Sequence, residues 1–324
     1  MTPSRPRRLS EVLERYALGL ARERSLEVKK DDGGKNRGKL LARLKRLGVK
    51  GWPERLTLYT RSLPKGCQPC LRGQGSNLVM TLMCNRDCFF CFNPKPRAAG
   101  MSVHGRAVRT LEEVGDVFAN LGVRSVGISG GEPLLERRKV LALARNLRRR
   151  FGPDLRIDLY TNGDLLSLEL LKRLKAAGVN GLRMNLAANG YDAAPAALAR
   201  RVFKDVEVEI PAIPEDKPKV LALLSRLEAL GCRHLILHEL FSSAANIEAM
   251  QCQGREAKAG KREARLTWSG VADSEETALS VVETALRERR KISVYYCSCG
   301  TQAWIAERAM DRMKTMRQGD NGEL

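Results

Sequence analysis

The sequence predicts an α/β fold organised around a parallel sheet. From about residue 76, short apolar runs alternate regularly with segments of helical periodicity. The loops between them are short, and repeated strand–helix units on short loops call for parallel strands. Right-handed crossovers then bring the strand C-termini, and the loops that follow them, to one end. In α/β folds that end carries the chemistry.

Each element has its own signal. SNLVMTLM is a short apolar run that ends at Cys84. VRTLEEVGDVFANLG places Leu111, Val114, Val117, Phe118 and Leu121 on one helical face, opened by a Thr110/Glu113 capping box. RSVGIS reads as a strand, LLERRKVLALARNLRRR as a helix, LRIDLYT as a strand, and LLSLELLKRLKAAG as a helix stopped by Gly178. GLRMNLA, a helix over 191–203, VEVEIPAI, a helix over 217–230 with Asp216 at its N-cap and Gly231 at its end, and the sixth strand HLILHEL complete the series.

The flanks differ from this rhythm. Leu9, Val12, Leu13, Tyr16 and Leu20 recur near helical spacing, as do Leu40, Leu41, Leu44 and Leu47, with a glycine-rich charged hinge between them. Residues 242–272 include the basic, apolar-poor stretch QCQGREAKAGKREAR, expected as a surface loop. SEETALSVVETALRERR is a helix leading into KISVYYCSCG, and TQAWIAERAMDRMK is helical in pattern, with a tail, QGDNGEL, expected to fray. The expected organisation is a basic helical N-terminal extension (1–60), a CxPC segment (61–75), the strand–helix region (76–241), and a basic loop with a C-terminal region (242–324).

Among 324 residues, 43% are hydrophobic, enough for one large domain with appendages or for two domains. No apolar run approaches the ~20 residues that span a bilayer. The segment MTPSRPRRLSEVLERY lacks the apolar core of a secretory signal, so a cytoplasmic location is the expectation. A formal net charge of +20 favours polyanionic partners, RNA first, unless it is only an arginine-rich solvated surface. With 5% aromatic residues, extended base-stacking platforms are not expected.

Nine cysteines at irregular spacing do not describe a disulfide framework. Cys232 and Cys252 stand alone and read as small buried apolar residues. The others cluster: Cys67 with Cys70, Cys84 with Cys88 and Cys91, and Cys297 with Cys299. A structural zinc site wants four ligands, usually in two pairs. Three thiols in the tight loop CNRDCFFC suit a [4Fe–4S] cluster with one iron open to a small molecule, or a zinc site completed from elsewhere, by Cys67 and Cys70 for example.

The surroundings of that loop resemble the radical SAM superfamily. CxxxCxxC follows the first strand with Phe90 just before the last cysteine, and Gly130-Gly131-Glu132-Pro133 ends the next strand, like that family's GGEP motif. The resemblance implies a partial (β/α)6 TIM-like barrel with the helical N-terminal extension attached. It implies a [4Fe–4S] cluster on Cys84, Cys88 and Cys91, with S-adenosylmethionine (SAM) across the strand C-termini. Backbone around Gly130, Gly131 and Glu132 would bind the methionyl amine, and Phe90 would lie near the adenine. A flavodoxin- or ferredoxin-type donor would reduce the cluster, and the 5′-deoxyadenosyl radical would abstract a substrate hydrogen. Thr161 and Asn162 stand where family members place polar contacts to SAM. Arg183 and Asn185 could reach the ribose or the methionyl carboxylate; for Arg183 a salt bridge with Glu209 is the alternative. Ile210 to Ile213 either line the adenine pocket or pack in the core.

Finer pieces narrow the resemblance. GCQPCLRG, FGPDLRIDLYTNG, AAGVNGLRMNL, HELFSSAAN and YCSCGTQAWIAERAMDR are similar to a group of Fe–S proteins related to pyruvate formate-lyase activating enzymes, over roughly 67–316. Tyr296 and Cys299 depart from the His and Ser of those relatives. Cys67, Cys70, Cys297 and Cys299 could meet as an auxiliary site for Fe–S or zinc, or stay unligated. His238 and Glu239 end the sixth strand, as a substrate contact or as buried structural groups.

The functional expectation is a radical SAM enzyme acting on a macromolecule, RNA ahead of protein, with Lys35, Arg37, Lys39, Arg43, Lys45, Arg46 and the loop 253–265 as candidate phosphate contacts. The alternatives are a small-molecule or glycyl-radical-generating enzyme, and a zinc-stapled nucleic-acid-binding module.

Overall fold

The computed structural model describes residues 9–13, 26–30, 35–258 and 269–320, with side chains left out for Lys35 and 313–320. Tyr16, Leu20, most of the basic loop at 259–265 and the last four residues of the expected fraying tail lie outside the described residues.

The elements run α1 (Lys35–Arg46), β1 (Lys50–Trp52), β2 (Thr57–Tyr59), α2 (Cys67–Leu71), β3 (Gly75–Thr81), β4 (Met101–Val103), β5 (Arg106–Val108), α3 (Leu111–Asn120), β6 (Ser125–Gly130), α4 (Arg137–Phe151), β7 (Arg156–Thr161) and α5 (Leu168–Ala176). They continue with β8 (Gly181–Met184), α6 (Ala194–Arg200), β9 (Asp205–Ala212), α7 (Lys217–Ala229), β10 (His234–Glu239), β11 (Phe241–Ser242), α8 (Ile247–Cys252), β12 (Ser269–Gly270), α9 (Ser274–Arg287), β13 (Ser293–Cys297) and α10 (Cys299–Asp320).

The main sheet has the order β1-β2-β13-β10-β9-β8-β7-β6-β3-β4-β5. From β3 to β13 neighbouring strands are parallel, and antiparallel strands extend both edges. This is a partial, TIM-like barrel. The six expected strands are all present. The sequence run VYYC adds a seventh parallel strand, β13, which periodicity does not announce because all five of its residues are buried. Helices cover the outer face; α4 alone buries Val140, Leu141, Leu143, Ala144 and Leu147.

Local chemistry sets the element ends. Thr110 Oγ1 accepts the Glu113 N–H at 3.1 Å, and the Glu113 carboxylate reaches back to the Arg109 N–H at 2.7 Å. Gly178 and Gly231, at φ +99° and +69°, leave α5 and α7 through the left-handed region. Asp216 stands at the N-cap of α7 but does not cap it. Its carboxylate is taken by the Tyr191 hydroxyl at 2.9 Å and by Lys219 at 2.7 Å, both of which outcompete a local backbone N–H.

Residues 35–59 are built into the barrel. Leu40 and Leu44 join the main core, Arg37 and Arg43 pair with Glu275 and Glu283 of α9 at 2.7 and 2.8 Å, and β2 lies antiparallel to β13. Two expected phosphate contacts are therefore engaged within the chain. Cys232 is buried as expected, but Cys252 is exposed, because Ile247 and Met250 supply the inward face of α8.

Candidate cluster and cofactor site

The loop after β3 carries Cys84, Cys88 and Cys91, all half-buried free thiols. Burial first, then the neighbouring Cys91 and Cys84, pushes the Cys88 thiol up to about 11. The loop is pinned at several points. Arg86 pairs with Asp164 at 2.7 and 2.9 Å, and Asn85 donates to the same carboxylate at 2.6 Å. Asn162 Nδ2 donates to Asn85 Oδ1 at 2.8 Å, and Arg97 Nη1 to the Cys84 carbonyl at 3.0 Å. Farther along, Asn246 Nδ2 donates to the Phe90 carbonyl at 3.2 Å. The aromatic pair Phe89–Phe90 packs on a cluster that includes Ile213, whereas Ile210 belongs to the main core.

The glycine motif sits directly against this loop. Gly131 and Glu132 donate their N–H groups to the carbonyls of Thr81 and Met83 at 2.7 and 2.8 Å. A Cβ on Gly131 would stand 2.1 Å from the Met83 carbonyl oxygen, and one on Gly130 would stand 2.3 Å from that of Thr81. Gly130 also has φ +131°, so it needs glycine on two counts. The N–H groups are thus committed to the neighbouring strand. What the stretch can offer a ligand ammonium is its carbonyl oxygens.

Glu132 is wholly buried, and its carboxylate works inward. It accepts the Thr161 hydroxyl at 3.0 Å and the backbone N–H groups of Asn162 at 2.8 Å and Leu134 at 3.0 Å. Burial raises this carboxyl above its usual range although these bonds oppose the shift. Thr161 is consequently engaged as a strut, and Asn162 bridges to the thiol loop. Asn185, just after β8, is different: its Oδ1 is buried and has no hydrogen-bond partner among the described residues. A buried acceptor without a donor suits a ligand hydroxyl.

Arg183 lies inside the barrel, on the face it shares with Asp158, Glu207 and Glu209. Its guanidinium is 2.8 Å from Glu209, 3.2 Å from Glu207 and 3.4 Å from Asp158, so the salt bridge to Glu209 is formed. Burial works to raise the Glu209 carboxyl, but Arg183 and His238 outweigh it and hold it at about 2. His238 Nε2 is 2.7 Å from Glu209, and its Nδ1 meets Gln302 at 3.1 Å. Glu239 is buried and paired with Lys258 at 2.6 Å.

The CxPC segment enters the same interior. Arg183 Nη1 donates to Cys67 Sγ at 3.3 Å, and Cys67 packs with Cys297, Tyr295 and Ile236. Cys67, Cys70 and Cys297 share Arg183 and Glu209 as charged neighbours. Cys299 is set apart beside Glu239 and Lys258, and its N–H donates to Glu239 at 2.8 Å. Among the described residues, no three His, Cys, Asp or Glu side chains are drawn tightly enough together to hold a single metal ion. Thiolates that each bind a different iron of a cubane need not converge on one point, so three half-buried thiols on one loop are compatible with a cluster.

These features define a class that the comparisons name. The family model described as the radical SAM superfamily matches residues 78–210, the stretch from β3 to β9 that carries both the thiol loop and the glycine motif. Residues 78–210 are a radical SAM domain, a domain whose family uses a [4Fe–4S] cluster and SAM as cofactors. The chain is related to the pyruvate formate-lyase activating enzymes. A protein of Methanocaldococcus jannaschii named as a glycyl-radical enzyme activating enzyme is 29% identical over 233 residues, 68% of this chain and 60% of its own length. A GTP 3′,8-cyclase of Peptoclostridium acidaminophilum is 35% identical over 111 residues, 34% of this chain and 33% of its own. The chain thus spans less than two thirds of the length of these relatives. Among solved structures, Streptococcus suis SuiB bound to precursor peptide SuiA is similar with a TM-score of 0.48 and 14% identity, over 89% of this chain and 61% of that one. Among the described residues, no helix is long and apolar enough to cross a membrane.

The residues that the sequence did not single out are the fasteners: Asn85, Arg86, Asp164, Asn93 and Asn246. Asn93 donates to the Gly130 carbonyl at 2.6 Å, which ties the thiol loop to the glycine motif. A cluster of Asn and Arg around CNRDCFFC was visible, but their partners lie up to 79 residues away, and Asn246 reaches the Phe90 carbonyl across 156.

Proposed function

We propose that Cys84, Cys88 and Cys91 ligate the [4Fe–4S] cluster and that SAM binds between the glycine motif and the end of β8. The observation that supports this most is the direct backbone seating of Gly130–Glu132 on residues 81–83, immediately before the first thiol. Carbonyl oxygens of the glycine motif would receive the methionyl amine. Asn185 Oδ1 would accept from a ribose hydroxyl, and Phe90 with Ile213 would give the adenine an apolar wall that excludes water. Thr161 and Asn162 would hold these groups in place through Glu132 and Asn85. The reduced cluster, when bound, supplies the electron that cleaves SAM to the 5′-deoxyadenosyl radical. A flavodoxin- or ferredoxin-type carrier in the cytoplasm would provide that electron.

For the substrate, the relative from Methanocaldococcus jannaschii supports activation of a partner protein by hydrogen abstraction, since its named role aligns over 68% of this chain. An RNA substrate is the second reading, favoured by the net charge of +20. The interior thiols Cys67, Cys70 and Cys297 would form an auxiliary Fe–S ligand set, with Cys299 outside it. Anaerobic reconstitution followed by dithionite and SAM should release 5′-deoxyadenosine. Cys84→Ala should abolish that release and bind less iron; retention of both would overturn the assignment. Salt-sensitive binding of bulk tRNA would favour the RNA reading over the protein one.

A further inference from the structure

Parallel strands give the sheet two unlike ends. One gathers the thiol loop, Gly130 and Asn185, and the other gathers the residues where the strands begin. That second end is basic. Arg124, Lys204 and Arg233 directly precede β6, β9 and β10, Arg156 opens β7, and Lys291 stands two residues before β13. Arg124, Lys204, Arg233 and Lys291 are exposed, and none is ion-paired with a carboxylate among the described residues.

Between β7 and β10 this end opens into a cleft of about 580 Å³. Five cations line it, Lys65, Arg156, Lys175, Lys204 and Arg233, against two carboxylates, Asp154 and Asp205. Asp205 is already shared by Arg156 at 3.0 Å and Lys65 at 3.3 Å. Asn180 joins the lining with its Oδ1 accepting from Arg148 and from the Ile157 N–H, both at 2.8 Å, so what it offers a ligand is an NH2 donor. A cleft lined by one sign of charge focuses its field and attracts the opposite charge.

The lining also selects the kind of anion. Among the described residues, no aromatic ring and no exposed large apolar side chain lines the cleft. A protein partner anchors through such groups, and single-stranded nucleic acid stacks its bases on them. A phosphate backbone needs only cations and donors. The cations also continue past the cleft, to β6 on one side and β13 on the other, across six neighbouring strands. One small anion does not reach that far.

We propose that the end of the sheet where the strands begin binds the phosphate backbone of a folded RNA, with the β7–β10 cleft at its centre. The proposal rests on the RNA reading for its partner and on no part of the cluster assignment. β7 and β10 are six residues long, so roughly 20 Å separates the two ends, and the face holds RNA without touching the reacting atoms.

The test measures binding of bulk tRNA to the reconstituted holoenzyme by fluorescence anisotropy across a salt series. Lys204→Glu/Arg233→Glu should weaken binding at least tenfold and lower the slope of log K against log salt by about two. Arg137→Glu/Arg138→Glu makes the same charge change on exposed residues of α4, beyond the other end of β6, and should weaken binding less than threefold. Both pairs should unfold with the wild-type thermal midpoint. Should the cleft pair fail to fold, Lys204→Gln/Arg233→Gln decides, since it adds no carboxylate beside Asp205; it should weaken binding at least threefold. Equal losses in the two reversal pairs, or no loss in the cleft variants, overturn the site and leave the RNA reading standing. A wild type that binds polyglutamate as tightly as tRNA overturns phosphate recognition, and one that binds neither sinks the RNA reading itself.

Discussion

Arg183 and Cys67 meet inside the barrel, where the guanidinium donates to the thiol at 3.3 Å from a residue 116 positions away in sequence. The same guanidinium faces Glu209, Glu207 and Asp158. One planar cation therefore joins β7, β8, β9 and the segment that enters from before β3. Removing it leaves buried carboxylates without their counter-charge. Arg183→Met should cost about 3–5 kcal/mol in urea unfolding. Arg183→Lys should recover only part, because a single ammonium cannot present the guanidinium fork to several carboxylates. Equal midpoints for wild type and Arg183→Met would show that the network is not integral to the fold.

Glu132 holds the next prediction. Its carboxylate accepts from one hydroxyl and two backbone N–H groups, so every partner is a donor. Glutamine replaces one acceptor oxygen with an NH2 that faces another donor. Glu132→Gln should destabilise the chain by about 1–3 kcal/mol and loosen the ends of β6 and β7 together. Thermal unfolding checks the first effect, and hydrogen exchange at the Asn162 amide checks the second.

Gly131 is constrained by space. The methyl of Gly131→Ala would collide with a backbone carbonyl, which cannot swing aside as a side chain would. A cost of about 1–3 kcal/mol is expected, with a lower iron content after reconstitution, since β6 must part from residues 81–83. Gly38→Ala is the control: its added methyl would meet none of the described residues within 4 Å, and it should be neutral or stabilising by about 0.5–1 kcal/mol.

Much of this site was written locally. CNRDCFFC, GGEP and the strand–helix alternation are short-range patterns, and the thiol loop and glycine motif emerge side by side because consecutive parallel strands are neighbours. The Arg183–Glu209 bridge was one of two expectations, and the pairing of β8 with β9 decides for it. The destination of Cys67 was less legible. The β4–β5 hairpin and the β2–β13 pairing were also hidden. Their strands are three to five residues long, and β2 and β13 join residues more than 230 apart. Asp216 shows the same limit on a smaller scale, since a good capping residue was claimed by a tertiary partner.

The interior also sets a pH dependence with two opposing parts. Burial first, then Arg183, holds His234 down at about 4, while Asp205 pulls the other way and Arg233 and Arg156 add to the depression. The native ring stays neutral where the unfolded chain gains a proton, so this residue makes stability fall as pH drops from about 6.5 toward 4. Glu207, whose Oε1 is 3.7 Å from His234 Nδ1, is raised to about 7 by burial, against the pull of Arg183 and Arg156 and with the push of Asp158 and Glu209. The native carboxyl keeps its proton where the unfolded one has lost it, so this residue makes stability fall as pH rises from about 4.5 to about 7. Between about pH 5 and 6.5 the two slopes oppose each other, each at most ~1.4 kcal/mol per pH unit. The wild type should therefore be nearly flat there. His234→Asn should unmask a decline with rising pH, and Glu207→Gln should unmask a rise. Urea unfolding of the three proteins across that range checks the signs, and slopes that match in both variants would show that the two groups do not titrate as the buried geometry dictates.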